Sequence, residues 1–181
     1  KPTPIDKIKT LSDNEFIDLG SNRKLKAYHD PGHAKHHYSF YDDVSKTLFI
    51  GDTLGLIYPH GNFVQPNLPP PDFDKEILFE TLEKFEKLEL NNLALAHFGI
   101  HKNPYDLITN AKESIEVWIK FIENLPETSN QEASAIMEQW VRTNYEFLGI
   151  DKETIDNYTN NVHFEMQVAG IRNYLLKKKN P

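Results

Sequence analysis

Histidines crowd one short stretch of this chain. Four of the eight, His29, His33, His36 and His37, fall within nine residues around the turn Asp30-Pro31-Gly32. A histidine in isolation is most often a surface or core residue. Four around one tight turn point further, because neutral imidazole is the commonest metal ligand and a strand end gives its side chains rigid support. The second candidate is Gly51-Asp52-Thr53, where an apolar run meets a glycine and then a carboxylate. Carboxylates at strand ends often serve as ligands or acid–base groups, and a glycine lets the backbone approach closely. Taken alone, the same segment is an ordinary turn with Asp52 bonded to nearby amides. The third is Ala96-His97-Phe98-Gly99, again a histidine just after an apolar run. Ligands at the ends of three strands can meet at one sheet edge. A set of His and Asp suits zinc, iron or manganese better than calcium or magnesium. The chain has no cysteine, which removes thiolate metal sites, cysteine nucleophiles, disulfides and CxxC redox chemistry together.

The elements that must position these residues divide the chain in two. Up to residue 98, short apolar runs alternate with turn signals, which is strand behaviour. Phe16-Ile17-Asp18-Leu19, Leu25-Lys26-Ala27-Tyr28-His29, His37-Tyr38-Ser39-Phe40-Tyr41 and Thr47-Leu48-Phe49-Ile50 are the first four such runs, and Leu93-Ala94-Leu95-Ala96 is a fifth. Residues 62–74 hold four prolines, including Pro69-Pro70-Pro71, and predict an extended loop. Asp72 or Asp74 is placed to cap a helix over 75–88, with Ile77, Leu78, Leu82 and Phe85 on its apolar face. From Pro104 onward the pattern is helical. Leu107, Ile108, Ala111, Ile115, Trp118, Ile119 and Ile122 form an apolar stripe that Pro126 closes. Further helices are expected over 131–148, after Asp151, and over 162–178. The expected organisation is an α/β layer over 1–103 and a helical extension over 104–181 packed on it.

Composition narrows the function classes. The chain has 181 residues, 39% apolar, and no uninterrupted apolar stretch near twenty residues, so disordered, collagenous and transmembrane classes are excluded. Lys+Arg number 20 against 27 Asp+Glu, a formal charge of −7. An acidic chain without a long basic stripe is a poor nucleic-acid binder, since phosphate neutralisation dominates that affinity. The one basic run, 177–179, is a solvated helix end. No signal-peptide pattern is visible. A cytoplasmic protein, with no nucleic-acid and no membrane partner, is the expectation.

Taken together, His29-Asp30-Pro31-Gly32-His33-Ala34-Lys35-His36-His37, then Leu48-Phe49-Ile50-Gly51-Asp52-Thr53-Leu54, then His97-Phe98-Gly99 resemble the third, fourth and fifth metal motifs of the metallo-β-lactamase superfamily, in order. The resemblance spans residues 16–99 and is nearest to glyoxalase II-like hydrolases. It implies an α/β fold of the α+β sandwich type, two sheets face to face with helices outside. It makes His33 a terminal ligand of one metal, Asp52 the carboxylate bridging two metals, and His97 a terminal ligand of the other. His37 matches a position that orients a ligand or a bound anion and is grouped with Asp52 as catalytic. His36, His60 and His101 match no metal position and are expected to face solvent or line a pocket.

The superfamily's opening His-x-His-x-Asp-His motif does not occur in these 181 residues. The expectation is therefore the second half of a sandwich, a fragment in preference to a split protein. Two ligands per metal is fewer than the three protein ligands of catalytic zinc. For the complete protein the resemblance implies hydrolysis of a small-molecule thioester or ester by a metal-bound hydroxide, with two zinc ions, or iron or manganese. Tyr58, His60 and Phe63, just before the proline loop, are expected at the substrate mouth. A mononuclear-iron persulfide dioxygenase and a non-catalytic scaffold or oligomerisation module are the alternatives. A nuclease of the same superfamily is disfavoured by the acidic charge. Strand residues Leu25, Ala27, Phe40, Phe49, Leu93 and Leu95 must divide between a helix-covered face and an inner sheet face. The expected partners are accordingly the protein's own N-terminal half or another chain over the inner face, or a second copy in a homo-oligomer.

Overall fold

A computed structural model describes residues 2–58 and 63–179. Among these residues six strands form one sheet in sequence order: β1 Phe16–Asp18, β2 Lys24–His29, β3 Tyr38–Asp42, β4 Thr47–Gly51, β5 Asn92–Leu95 and β6 Ile100–His101. Every neighbouring pair is antiparallel except β4 and β5, which are parallel. Parallel neighbours need a crossover, and here it carries the proline-rich segment and helix α1, Lys75–Glu86. One consequence governs the site. Strands β2, β4 and β5 all run in the same direction, so the turns that follow them lie along one edge of the sheet.

Alternation sorts the side chains by face. The register aligns Ala27, Phe40, Phe49, Ala94 and Ile100 in a row across the sheet, with Leu25 on the same face two residues from Ala27. The opposite face carries Tyr28, Tyr41, Leu48, Ile50 and Leu93, which join Leu78, Leu82 and Phe85 of α1 in the core. Tyr28 meets the Phe85 ring edge-on at 6.0 Å. Among the strand residues expected to divide, Leu93 and Leu95 lie in the core under the helices, and Leu25, Ala27, Phe40 and Phe49 lie on the other face. On that face Phe49 is 42% and Ile100 65% exposed.

Asp74, not Asp72, caps α1: its side chain accepts the Ile77 N–H. The expected apolar face of α1 needs one correction. Ile77 is exposed, and Thr81 takes the buried place, donating its hydroxyl to the Pro31 carbonyl at 2.9 Å. The remaining helices are α2 Pro104–Glu123, α3 Asn130–Phe147, α4 Lys152–Asn161 and α5 Phe164–Lys179. Helix α5 begins two residues later than expected, because Val162 is extended. Ser129 and Glu132 form a reciprocal capping box at α3, and Asp151 caps α4. The helices stay on the α1 side and share one continuous core with it.

Helix α5 also grips the proline-rich segment. Gln167 Oε1 accepts the Leu68 N–H at 2.6 Å, and Lys177 Nζ donates to the Pro71 carbonyl at 2.5 Å. Gly170 makes that approach possible, since a Cβ there would lie 1.7 Å from the Leu68 carbonyl oxygen. No residue with a side chain fits at that separation. Among the described residues, no helix is long and apolar enough to cross a membrane.

Candidate metal centre

The β2–β3 turn contributes His33 and a polar brace. Asp30 is fully buried, and its carboxylate accepts three hydrogen bonds, from Ser39 Oγ at 2.6 Å, Thr53 Oγ1 at 2.8 Å and His37 Nδ1 at 2.9 Å. Three donors offset the cost of taking a carboxylate out of water. The other nitrogen of His37, Nε2, accepts the backbone N–H of Asp52 at 3.3 Å, so the proton sits on Nδ1. His37 therefore ties the β2–β3 turn to the residue after β4. Both its nitrogens are engaged within the chain, which makes it a brace for Asp52. Gly51 is required beside it: φ is +57°, and a Cβ would lie 2.5 Å from His37 Nε2.

Asp52 and His97 meet across the parallel pair β4–β5. The Ala96 N–H donates to the Gly51 carbonyl at 3.1 Å and carries the chain directly into His97. His97 Nε2 lies 3.7 Å from Asp52 Oδ1, beyond hydrogen-bond length. That oxygen is buried and has no hydrogen-bond partner among the described residues. His33 is 7% exposed. Its Nδ1–H donates to the Asn67 carbonyl at 2.8 Å, which leaves Nε2 without a proton and fixes the ring. Burial pushes its pKa below the ordinary histidine value, against the opposing effects of the Asn67 bond and the nearby Asp52 charge. A neutral imidazole with one nitrogen tied to a carbonyl is the usual state of a metal-ligating histidine.

The three expected ligands are thus placed unequally. The structure brings Asp52 and His97 together and places the His33 ring 5.8 Å from that of His37, whose Nε2 accepts the Asp52 N–H. Among the described residues, no group of three or more His, Cys, Asp or Glu side chains closes on a single ion position. The donors fit a metal in kind, through an orphaned carboxylate oxygen and a His33 Nε2 left free, and fall short in number.

His97 opens onto a cavity of about 850 Å³, whose lining includes Tyr58, Phe98, Glu153, Asn157 and Asn161. Phe98 has φ +63° and its ring lies 4.6 Å from that of Tyr58. Of the residues expected at a substrate mouth, Tyr58 lines this cavity. Phe63 packs instead against Tyr145 and Tyr158, at 4.3 and 5.3 Å. His60 lies outside the described residues. His36 is exposed, whereas His101 is half-buried in β6 on the helix-covered face, with a buried Nε2 that has no partner among the described residues.

Sequence reasoning missed Asp30, Thr53, Asn67 and Gln167. Asp30 stood in view as part of a turn, and a carboxylate beside Pro-Gly with histidines on both sides was the available signal. Asn67 acts through its backbone, which no residue type announces.

The family model for the metallo-beta-lactamase superfamily matches residues 1–97, ending on His97. A metallo-beta-lactamase superfamily protein from the archaeon Sulfolobus tokodaii superposes with a TM-score of 0.61 at 23% identity, covering 95% of this chain and 54% of that one. A metallo-beta-lactamase family protein from Thermus thermophilus gives 0.62 at 16% identity, covering 93% and 49%. These likenesses are of fold, and at such coverage they take in the helices after residue 103. The chain spans about half the length of the two structures.

Proposed function

Because the chain belongs to the metallo-beta-lactamase superfamily, we propose that it supplies one side of a hydrolytic metal centre acting on a thioester or ester of a small acid. The observation that carries this reading is the buried, unpartnered Oδ1 of Asp52 facing His97 Nε2 at 3.7 Å. A carboxylate oxygen without a hydrogen-bond partner among the described residues, beside an exposed imidazole and a braced backbone, supports that reading. His97 and Asp52 would hold one zinc ion, and His33 Nε2 with Asp52 the other; iron or manganese suits the same donors. When bound, such ions acidify a water near neutral pH and polarise an acyl carbonyl.

The chain's own residues have defined parts in that scheme. Asp52 would serve both ions, its backbone held by the His37 bond to its N–H, with Asp30 and Thr53 behind His37. Asn67 keeps His33 Nε2 free. The cavity beside His97 seats the substrate between Tyr58, Phe98 and helix α4. Among its described lining residues the carboxylates are Asp151 and Glu153, which favours an uncharged acyl group over an anionic one. Two protein ligands per ion are too few for tight binding, and a second sheet packed on the open face would bring the rest. That sheet would come from the protein's own N-terminal half or from another chain.

Zinc titration of the 181-residue chain, followed by the imidazole signals of His33 and His97 in NMR, tests the reading. Weak binding that perturbs both histidines and is lost in Asp52→Asn is expected, with little or no thioester hydrolysis by the chain alone. Zinc that leaves both histidines unmoved would refute it. So would robust metal-dependent hydrolysis by the isolated chain, lost on Asp52→Ala, because two ligands per ion would then suffice.

A further inference from the structure

We infer that Gln167, on helix α5, is a positioning residue for His33, acting through Asn67. The two are 134 residues apart in sequence, as 167 − 33, and one polar relay joins them. Gln167 is 3% exposed. Its Oε1 accepts the Leu68 N–H at 2.6 Å, and its Nε2 donates to Asn67 Oδ1 at 3.3 Å. Both bonds fall on the Asn67-Leu68 segment, one on each side of the Asn67 carbonyl. That carbonyl accepts the His33 Nδ1–H at 2.8 Å.

The chemistry of imidazole makes this relay consequential. A neutral histidine carries its proton on one nitrogen or the other, and the hydrogen bond it makes decides which. A carbonyl accepts only, so an Asn67 oxygen held against Nδ1 keeps the proton there and Nε2 bare. Were the Asn67 carbonyl to swing away, His33 would lose that constraint while remaining buried. The carbonyl belongs to an extended segment between residue 65 and α1, with no ladder partner of its own among the described residues. What fixes it is the side chain of Gln167, helped by Gly170, whose missing Cβ lets α5 lie directly against Leu68. The helical extension thus reaches the sheet-edge centre through a polar contact, in addition to covering the core. Outer partners of this kind, when lost, typically weaken metal binding tenfold or more.

The inference builds on the reading of His33 as a ligand, and its test separates the two. In the metal-free 181-residue chain, long-range ¹H–¹⁵N spectra of the His33 ring report the tautomer directly. The wild-type chain is expected to show the Nδ1–H form. Gln167→Ala is expected to show a mixture of forms, and its zinc affinity to fall about tenfold. Gln167→Glu, which keeps the acceptor for Leu68 N–H, is expected to restore most of the Nδ1–H form. Ile171→Val, a methyl deletion in the core face of the same helix, serves as the control and should lower stability without moving the His33 ring signals. An unchanged His33 spectrum in Gln167→Ala would overturn the inference, as would an equal disturbance in Ile171→Val. Should the wild-type chain bind no zinc, the ligand reading fails while the tautomer readout still decides the role of Gln167.

Discussion

Substituting Gly51 by alanine tests the coupling between the two turns that build the centre. The residue has φ +57°, and placing a Cβ in this left-handed region costs about 1–2 kcal/mol. Its Cβ would also lie 2.5 Å from His37 Nε2 and 2.7 Å from Cε1. The ring cannot withdraw freely, since Nδ1 is held by Asp30 at 2.9 Å and Nε2 accepts the Asp52 N–H. Displacing it forfeits at least one of those bonds, worth about 1 kcal/mol. Gly51→Ala should therefore destabilise the chain by about 2–3 kcal/mol, the sum of the two terms. In a His37→Ala background the collision and the bond are both gone, and the same substitution should cost only its backbone term of about 1–2 kcal/mol. Urea unfolding of the four proteins of this cycle, monitored by circular dichroism with the m-value as check, measures the difference. An equal cost of Gly51→Ala in both backgrounds would refute the reasoning, because the strain would then be local to the backbone.

Three further outcomes follow from the same geometry. Asp42 is 1% exposed at its side chain, bonded to Arg23 and Ser45, and its pKa is lowered to about 2. A depressed carboxylate contributes stability that is present above about pH 4 and lost as pH falls toward 2, so Asp42→Asn should flatten the stability–pH curve over that window. A slope unchanged by the substitution would show that Asp42 is not its source. The Tyr145 hydroxyl donates to that of Tyr158 at 2.6 Å in the core, so Tyr145→Phe and Tyr158→Phe should each cost about 1–3 kcal/mol by leaving a buried hydroxyl unpaired. The double variant should cost less than the sum of the singles in denaturant melts, and strict additivity would contradict it. On the open sheet face, Phe49→Glu should reduce both self-association in light scattering and binding of an apolar-surface dye. A monodisperse 21.0 kDa wild-type chain that binds no dye would show that this face needs no partner.

Much of the sheet was legible because its determinants are local. Strands β2 to β4 are apolar runs ended by Pro-Gly, Asp-Asp and Gly-Asp, and β5 is an apolar run ahead of His97; hydrophobic periodicity reports such runs directly. Strand β6 was not legible. It is two residues long, follows Phe98 and Gly99 at φ +63° and +91°, and is defined only by pairing with β5. Ile77 was misplaced because helical spacing cannot rank it against Thr81. The Pro31 carbonyl, 50 residues away in sequence, decides that face by offering Thr81 an acceptor. Asp52 and His97 announced themselves by residue type at strand ends. Asn67 and Gln167 did not, since their contacts join positions 100 residues apart and leave no period behind.

Convergence of the candidate ligands depends on strand direction, which no single motif encodes. Two hairpin reversals bring β4 back into the direction of β2, and the crossover through α1 sets β5 parallel to β4. Only that sequence of reversals puts the segments carrying His33, Asp52 and His97 at one edge. An antiparallel β5 would carry His97 to the opposite edge, a whole strand length away. The length and helix of the β4–β5 connection therefore shape the candidate site as much as its residue types do. A side-chain period of two makes register equally strict, because a one-residue slip would turn Leu48 and Ile50 out of the core. The register shifts at a bulge between Phe49 and Gly51, and the ladder then ends with the pair Gly51–Leu95. Beyond it, the His37 bond to the Asp52 N–H takes over from the ladder as the constraint on the carboxylate. Ladder and brace thus act in succession: where strand pairing stops at Gly51, a side chain takes up the backbone that carries Asp52.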